Sequence, residues 1–233
     1  MATIIMIGNM KGGVGKSTVT LLSANALSNP PFNKKIAVLD IDQQGSLYGL
    51  RKLESNEQTN KQQFKYPILE YSLEKLYQEI EDLDQQYDLI FLDVAGKLDT
   101  NLPPNQQEIT PLLLNTDLLL IPFVAGNFAT DATIHYLEYA IDVQQLKKEQ
   151  YQQDLNIVGF VNMYIKNRKD DTDLSNYLGE IASETGLRFM QNRLGFYTAY
   201  RSTDTSTSLY RSKPNNAQEK NFKLWINELS KMT

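Results

Sequence analysis

Short apolar runs separated by longer amphipathic stretches make up most of this chain. The runs are continuously apolar rather than alternating, which is typical of parallel strands covered on both faces. They predict strands at residues 3–8, 36–40, 89–93, 118–122 and 157–161. Helices are predicted at residues 17–28, 72–85, 106–115, 128–147 and 173–186. This alternation predicts an α/β fold, a doubly wound, mostly parallel sheet flanked by helices.

Three further segments complete the pattern. Residues 54–66 are rich in Asn, Gln, Glu and Lys and predict an exposed, mobile loop, whereas residues 200–216 are rich in Ser, Thr and Arg and predict a flexible polar stretch. Residues 217–231 predict a final helix with one apolar face. The apolar residues of that face are Phe222, Trp225, Ile226 and Leu229. No linker rich in Gly, Ser or Pro divides the chain, so we expect a single domain over residues 1–233.

The composition excludes several classes of protein. The chain has no cysteine, which excludes a disulfide framework, a thiolate metal site and an iron–sulfur cluster. No apolar run reaches the roughly 18 residues that suggest a transmembrane helix, and no signal-peptide pattern opens the chain. We therefore expect a cytoplasmic protein without stable membrane association.

Charge is distributed unevenly along the chain. The formal net charge is −5, but residues 1–150 carry 12 basic and 19 acidic residues, whereas residues 151–233 carry 11 basic and 9 acidic residues. Such asymmetry marks either a nucleic-acid-binding face or an ordinary solvated surface. The candidates for a DNA-binding face are Arg193, Arg201, Arg211 and Lys213. Internal contacts near the nucleotide or a dimer interface are the alternative for Arg193 and Arg201.

A glycine-rich segment with two lysines follows the first predicted strand. Residues 11–18 read KGGVGKST and lead into the first predicted helix. A strand, a glycine-rich turn and a helix N-terminus together form a cradle in which backbone N–H groups bind phosphate. The predicted binding residues are Gly12, Gly13, Val14, Gly15, Lys16, Ser17 and Thr18. Lys16 is expected to reach the β- and γ-phosphates, and the Ser17 hydroxyl is the expected Mg²⁺ ligand.

This segment departs from the ordinary phosphate loop at two positions. The usual pattern has glycine where this chain has Met10, and Lys11 adds a second lysine. Residues 9–18 resemble the deviant Walker A motif of the ParA/MinD (Soj-like) ATPases. The resemblance implies that Lys11 reaches across a nucleotide-sandwich dimer to the partner's phosphates and acts with Lys16 in ATP hydrolysis. A solvated loop lysine is the alternative interpretation of Lys11.

Two acidic segments resemble further motifs of this family. Residues 40–44 read DIDQQ, similar to the family's D-x-D-P-Q segment with Gln43 in place of proline. The resemblance implies that Asp42 positions the attacking water and lies near Mg²⁺, while Asp40 sits at the strand end. The strand at 89–93 ends in Asp93, as in a Walker B motif, and Asp93 is expected to hold the Mg²⁺ shell through water. Asp88, before that strand, is more typical of a loop or cap.

Two polar residues near predicted strands and helices complete the candidate set. Asn162 follows a predicted strand and resembles the family position that meets the nucleotide base, although a capping or turn role explains it equally well. His135 is the only histidine and lies inside a predicted helix, so we expect a structural or surface role for it.

The resemblance implies a ParA-like ATPase that dimerises with Mg-ATP, serves plasmid, chromosome or mobile-element partition, and hydrolyses ATP slowly to ADP and phosphate. It implies non-specific DNA and a stimulating protein as partners, and association with the nucleoid when ATP is bound. A MinD-like membrane-associated positioning ATPase is one alternative, but the mixed charges of the final helix favour weak lipid attraction. An ATP-dependent metabolic ligase of the same superfamily is the other, although such enzymes usually carry an ordinary phosphate loop.

Overall fold

The computed structural model describes residues 1–41, 45–57, 64–94 and 109–233. In these residues, parallel strands form one sheet in the order β3-β2-β4-β1-β5-β6-β7. The strands are β1 (Thr3–Ile7), β2 (Ile36–Asp40), β3 (Ile68–Glu70), β4 (Leu89–Asp93), β5 (Leu118–Phe123), β6 (Asn156–Val161) and β7 (Arg188–Phe189). The helices are α1 (Lys16–Leu27), α2 (Ser46–Glu57), α3 (Leu73–Gln86), α4 (Thr110–Leu114), α5 (Asn127–Tyr151), α6 (Lys169–Thr185), α7 (Thr198–Arg201) and α8 (Ala217–Leu229).

The sheet is covered on both faces, which confirms the predicted doubly wound α/β fold. One apolar cluster packs α3, α4, α5 and α6 against the sheet. The other packs α1, α2, α7 and α8 against the opposite face. Every strand that reads as a continuous apolar run therefore has both of its faces buried, as parallel strands of this class require. The carboxyl ends of β1, β2 and β4 meet at one edge of the sheet, where the predicted site residues are expected.

The five predicted strands agree with the observed ones to within one residue at either end. The two edge strands were not predicted, because β3 has only three residues and β7 only two. The prediction of a helix at 106–115 corresponds to α4, which covers 110–114, and residues 106–108 lie outside the described residues.

The structure departs from the predicted exposed loop at 54–66 at two places among the residues that it describes. Residues 54–57 form the last turn of α2, and the side chain of Tyr66 is buried. The physical reason is a buried arginine, which polar composition alone does not reveal. Arg51 of α2 donates one hydrogen bond to Tyr66 O at 2.8 Å, and its guanidinium carbon lies 3.9 Å from the centroid of the Phe64 ring.

Part of the polar stretch at 200–216 is hydrogen-bonded to α1 and α2, which its composition does not predict. Arg51 donates to Thr205 Oγ1 at 2.7 Å and to Thr205 O at 2.8 Å, while the Glu54 carboxylate accepts from the Thr205 backbone N–H. The Asp204 backbone O accepts from Asn25 Nδ2 of α1 at 2.8 Å. Burial lowers the pKa of Arg51, and the nearby Tyr66 and Glu54 side chains oppose that shift. Arg51 thus joins α2 to a segment more than 150 residues away in the chain.

We expect Arg51→Lys to lower the free energy of unfolding by about 2–4 kcal/mol, because lysine keeps the charge but cannot reproduce three hydrogen bonds from one planar group. Urea unfolding followed by circular dichroism measures the effect. Lys52→Arg is the matched control, since Lys52 is exposed on the same helix and surface changes usually stay within about 0.5 kcal/mol. Equal stability of the two variants would refute a structural role for Arg51.

The final helix belongs to the core. Its four apolar residues Phe222, Trp225, Ile226 and Leu229 are completely buried, and the rings of Phe160 and Trp225 have centroids 5.6 Å apart. Core packing therefore accounts for the apolar face that the sequence shows. No helix within the described ranges is long and apolar enough to cross a membrane.

Candidate phosphate-binding site

The glycine-rich segment forms a compact turn between β1 and α1. Gly13 and Gly15 have φ angles of +77° and +92°, a backbone conformation that side chains disfavour and glycine tolerates. At Gly15 a Cβ would also lie only 2.7 Å from Asn162 Nδ2. Gly15 precedes α1, whose first turn carries Lys16, Ser17 and Thr18. The backbone N–H groups of a helix start are therefore available at the end of β1, as phosphate binding requires.

The two lysines of the turn are linked through its backbone. Lys16 Nζ donates to Lys11 O at 3.3 Å, and the Lys11 N–H donates to Asn9 Oδ1 at 2.8 Å. Lys16 is half-buried, whereas Lys11 is exposed. The protein thus holds the peptide groups on both sides of Lys11, while the residue itself is exposed.

Two buried carboxylates lie side by side next to this turn. Asp40 ends β2 and Asp93 ends β4, the two residues are paired in register, and both side chains are almost completely buried. Asp40 Oδ2 accepts from the backbone N–H groups of Leu47 and Tyr48 at 2.9 and 2.8 Å. Asp40 therefore holds the start of α2. Asp42, predicted to position the attacking water, lies outside the described residues.

The oxygen donors of Ser17 and Asp93 are of the kind that suits Mg²⁺. Within the described ranges, no three His, Cys, Asp or Glu side chains come together. Mg²⁺ is usually held by one or two carboxylates, several waters and substrate phosphates rather than by an all-protein cage. Ser17 at the start of α1 and Asp93 at the end of the strand beside β1 offer a hydroxyl and a carboxylate of the kind expected. Asp88 lies at the other end of β4, just before its first residue, where its carboxylate accepts from Lys35 N at 2.7 Å.

Asn162 is part of the support of the turn. Its Nδ2 donates to Val14 O at 2.7 Å, and its Oδ1 accepts from Met163 N at 2.9 Å. The side chain is buried. Asn162 therefore ties the end of β6 to the phosphate loop, and its role towards a base stays a prediction.

A cavity of about 410 Å³ opens beside the turn. Its walls come from α1 and from the segment around α7, and they include Thr18, Val19, Leu22, Leu194, Phe196, Tyr197, Tyr200 and Arg201. Burial, reinforced by Tyr197, raises the pKa of Tyr200, so this hydroxyl stays neutral, and it donates to Gln218 O at 2.8 Å. Sequence reasoning missed the aromatic wall, although the run Gly195, Phe196, Tyr197 soon after the apolar strands was the available signal.

The proposed DNA-binding residues have local partners. The guanidinium of Arg193 lies 4.8 Å from the centroid of the Tyr164 ring, and that of Arg201 lies 5.4 Å from the centroid of the Phe196 ring. Arg211 donates to the backbone O of Ser208 and of Tyr210. Lys213 is exposed. His135, at the surface of α5, contacts Glu138 at 3.3 Å, as expected for a surface residue.

Comparisons with known proteins agree with this fold. A family model described as the CobQ/CobB/MinD/ParA nucleotide binding domain matches residues 5–202. No curated protein matches the sequence significantly.

Solved structures resemble the whole chain at low sequence identity. A putative plasmid partition protein from Borrelia burgdorferi B31, bound to AMPPNP, is 18% identical, with a TM-score of 0.64 over 100% of this chain and 99% of that chain. MinD from Aquifex aeolicus is 16% identical, with a TM-score of 0.63 over 100% and 98% of the two chains. Cobyrinic acid a,c-diamide synthase from Mycobacterium smegmatis is 14% identical, with a TM-score of 0.64 over 98% and 94%. These likenesses establish a shared fold.

Proposed function

The chain belongs to the CobQ/CobB/MinD/ParA nucleotide-binding domain family, and on that premise we propose that it is a ParA-like ATPase. It would act as a Mg-ATP-dependent dimerising switch in the partition of plasmid, chromosomal or mobile-element DNA. The observation that carries the proposal is Lys11, which is exposed in the phosphate loop while Lys16 and Asn9 hold its backbone. This arrangement suits a lysine that acts on a second nucleotide across a dimer.

The proposed reaction is slow hydrolysis of ATP. A water oxygen bonds to the γ-phosphorus while the bond to the β–γ bridging oxygen breaks, and the proton of the water passes to phosphate. Lys16 and Lys11 would stabilise the negative charge of the transferring group, and Asp42 would orient the water. Ser17 would bind Mg²⁺, Asp93 would hold its shell through water, and Asp42 would lie near the ion, which when bound neutralises charge on the phosphate oxygens.

The cavity next to the loop is the proposed site of the nucleotide base. It opens beside Gly13 and Gly15, and its aromatic and aliphatic walls suit a flat heterocycle. Asn162 stands between the loop and this cavity, so any contribution to base binding would be made by a side chain that also supports Val14. The proposed ATPase domain covers residues 1–233, because α8 packs in the same apolar cluster as β1 and α1 although it lies beyond the family match.

The alternatives have less support. A MinD-like membrane switch needs an amphipathic helix free to enter a lipid surface, whereas the apolar face of α8 is buried in the core. A metabolic ligase shares the fold, as the similar synthase illustrates, but its chemistry gives no role to an exposed second lysine in the phosphate loop.

Light scattering tests the proposed function directly. The protein is measured with ADP, with ATP, and with ATP plus a random-sequence DNA duplex, always with Mg²⁺. The proposal predicts a monomer with ADP, a dimer with ATP, and a larger complex when DNA is added. A monomer under all three conditions would refute the switch and favour a ligase-type enzyme, and ATP-dependent recruitment to liposomes instead of DNA would favour the MinD-like alternative.

We expect DNA binding to be ATP-dependent, independent of sequence and strongly weakened by salt, because phosphate contacts release counterions. Arg201→Ala/Arg211→Ala should reduce the slope of log K against log salt by about 1.8, since each lost phosphate contact removes about 0.9. Fluorescence anisotropy across a salt series measures the slope. Nucleotide is kept saturating because Arg201 also lines the cavity.

The control for this experiment is Lys34→Ala/Lys35→Ala, which removes two positive charges just before β2, at the opposite edge of the sheet. Its salt slope should equal that of the wild type. An equal slope for the arginine variant would place the DNA-binding face elsewhere.

A further inference from the structure

Asn9 has a position that the phosphate-loop pattern does not explain. It follows β1, and its side chain is completely buried. Asn9 Nδ2 donates to Pro122 O in β5 at 3.0 Å and to Thr133 Oγ1 in α5 at 2.8 Å. Its Oδ1 accepts from the Lys11 N–H at 2.8 Å. Both donor hydrogens and the acceptor of the amide are therefore used, and they join three separate parts of the molecule.

The three contacts select for asparagine. Aspartate would keep an acceptor for Lys11 N but would place a carboxylate oxygen against Pro122 O, which cannot donate. Alanine would leave the Lys11 N–H and the buried Pro122 carbonyl without this partner, and an unpaired polar group is costly in a protein interior. Serine is too short to reach β5 and α5 and the Lys11 backbone together. A residue that only terminated β1 would not need this set of groups.

The contacts give α5 a direct link to Lys11. The backbone O of Lys11 accepts from Lys16 and its N–H donates to Asn9, so the backbone is held on both sides of the point where the exposed side chain leaves the loop. A displacement of Lys11 would move the Asn9 amide, and that amide is bonded to the second turn of α5 and to the last residues of β5. The path contains one side chain and two hydrogen bonds.

We propose that Asn9 is a positioning residue that aims Lys11 at the partner's nucleotide and transmits the engagement of Lys11 to α5 through Thr133. This inference rests on the proposed function and deepens it, because it names the contacts through which assembly of the dimer would affect residues outside the phosphate loop. When Lys11 contacts a phosphate of the partner's nucleotide, the hydrogen exchange of the N-terminal half of α5 should change.

The test uses variants on both sides of the amide. Thr133→Val keeps the shape of the side chain and removes only the hydroxyl that Asn9 contacts, and Thr133→Ser restores a hydroxyl. Asn9→Asp is the second probe. The matched control is Thr130→Val, one turn earlier in α5, where the hydroxyl donates to Gly126 O of its own helix start. Readouts are the Kd for a fluorescent ATP analogue, ATP-dependent dimerisation by light scattering, and hydrogen exchange of α5.

We expect Thr133→Val to bind nucleotide within about threefold of wild type, to dimerise with ATP about tenfold more weakly, and to lose the ATP-dependent change in exchange of α5. Thr133→Ser should recover ATP-dependent dimerisation and the change in exchange of α5. Asn9→Asp should lose these two properties, and Thr130→Val should match wild type. A merely structural role would instead lower unfolding stability and nucleotide affinity together.

Failure of this inference and failure of the proposed function give different results. If wild type dimerises with ATP but Thr133→Val and Asn9→Asp do so equally well, with the same exchange in α5, the inference fails and the proposed function stands. If wild type shows no ATP-dependent dimer, the proposed function fails and the inference fails with it.

Discussion

Lys16→Ala is expected to abolish tight nucleotide binding, whereas Lys11→Ala is expected to keep it and to lose the ATP-dependent dimer. Lys16 is half-buried in the loop, where its ammonium group reaches the backbone of Lys11. Its removal deletes a charge-assisted contact to phosphate, and a loss of about 3 kcal/mol corresponds to an increase in Kd on the order of 100-fold. Lys11 is exposed, so its removal should change Kd by no more than about threefold.

Titration of a fluorescent ATP analogue measures the first effect and light scattering with ATP measures the second. Lys35→Ala is the control for charge, because Lys35 is exposed at the opposite edge of the sheet, and it should match wild type in both assays. A Lys11→Ala protein that still dimerises with ATP would show that Lys11 is a solvated loop residue. If the Kd of Lys16→Ala for the ATP analogue were unchanged, the glycine-rich loop would not be the phosphate-binding site.

The features that sequence predicted well are those whose cause is local. The glycine-rich turn is contiguous, and its two left-handed positions are occupied by Gly13 and Gly15, so residue type and conformation coincide there. The central strands are apolar throughout because both faces are covered, and that pattern needs no knowledge of the neighbours. The short edge strands β3 and β7 had too few residues to show any pattern.

The features that sequence missed depend on partners far away in the chain. Asn9 meets Thr133 across 124 positions, and Arg51 meets Thr205 across 154. A single asparagine or arginine in a polar segment carries no sign of such a partner. Polar composition describes an exposed loop and a buried hydrogen-bonded cluster equally well, so the contacts of Tyr66 and Thr205 could not be predicted.

Asp40 and Asp42 lie two residues apart, but we expect substitution of Asp40 to lower stability and substitution of Asp42 to slow hydrolysis. Asp40 is buried and accepts two N–H groups from α2. Asp40→Ala should therefore lower the free energy of unfolding by about 1–3 kcal/mol, because those donors lose a charged acceptor inside the protein. Urea unfolding measures that loss. Hydrolysis per folded molecule should fall much less than in the Asp42 variant.

Asp42→Ala should bind Mg-ATP and dimerise, yet hydrolyse ATP on the order of 100- to 10,000-fold more slowly, the range typical of a lost proton-transfer or water-positioning group. The proposed role of Asp42 concerns the attacking water rather than the nucleotide, so its loss should trap the ATP-bound dimer. Phosphate release under single-turnover conditions measures the rate, and light scattering over hours measures the lifetime of the dimer. Loss of ATP binding in this variant would instead make Asp42 a direct support of Mg²⁺ or the phosphates. If the hydrolysis rate were unchanged, Asp42 would have no catalytic role, and another residue would have to position the water.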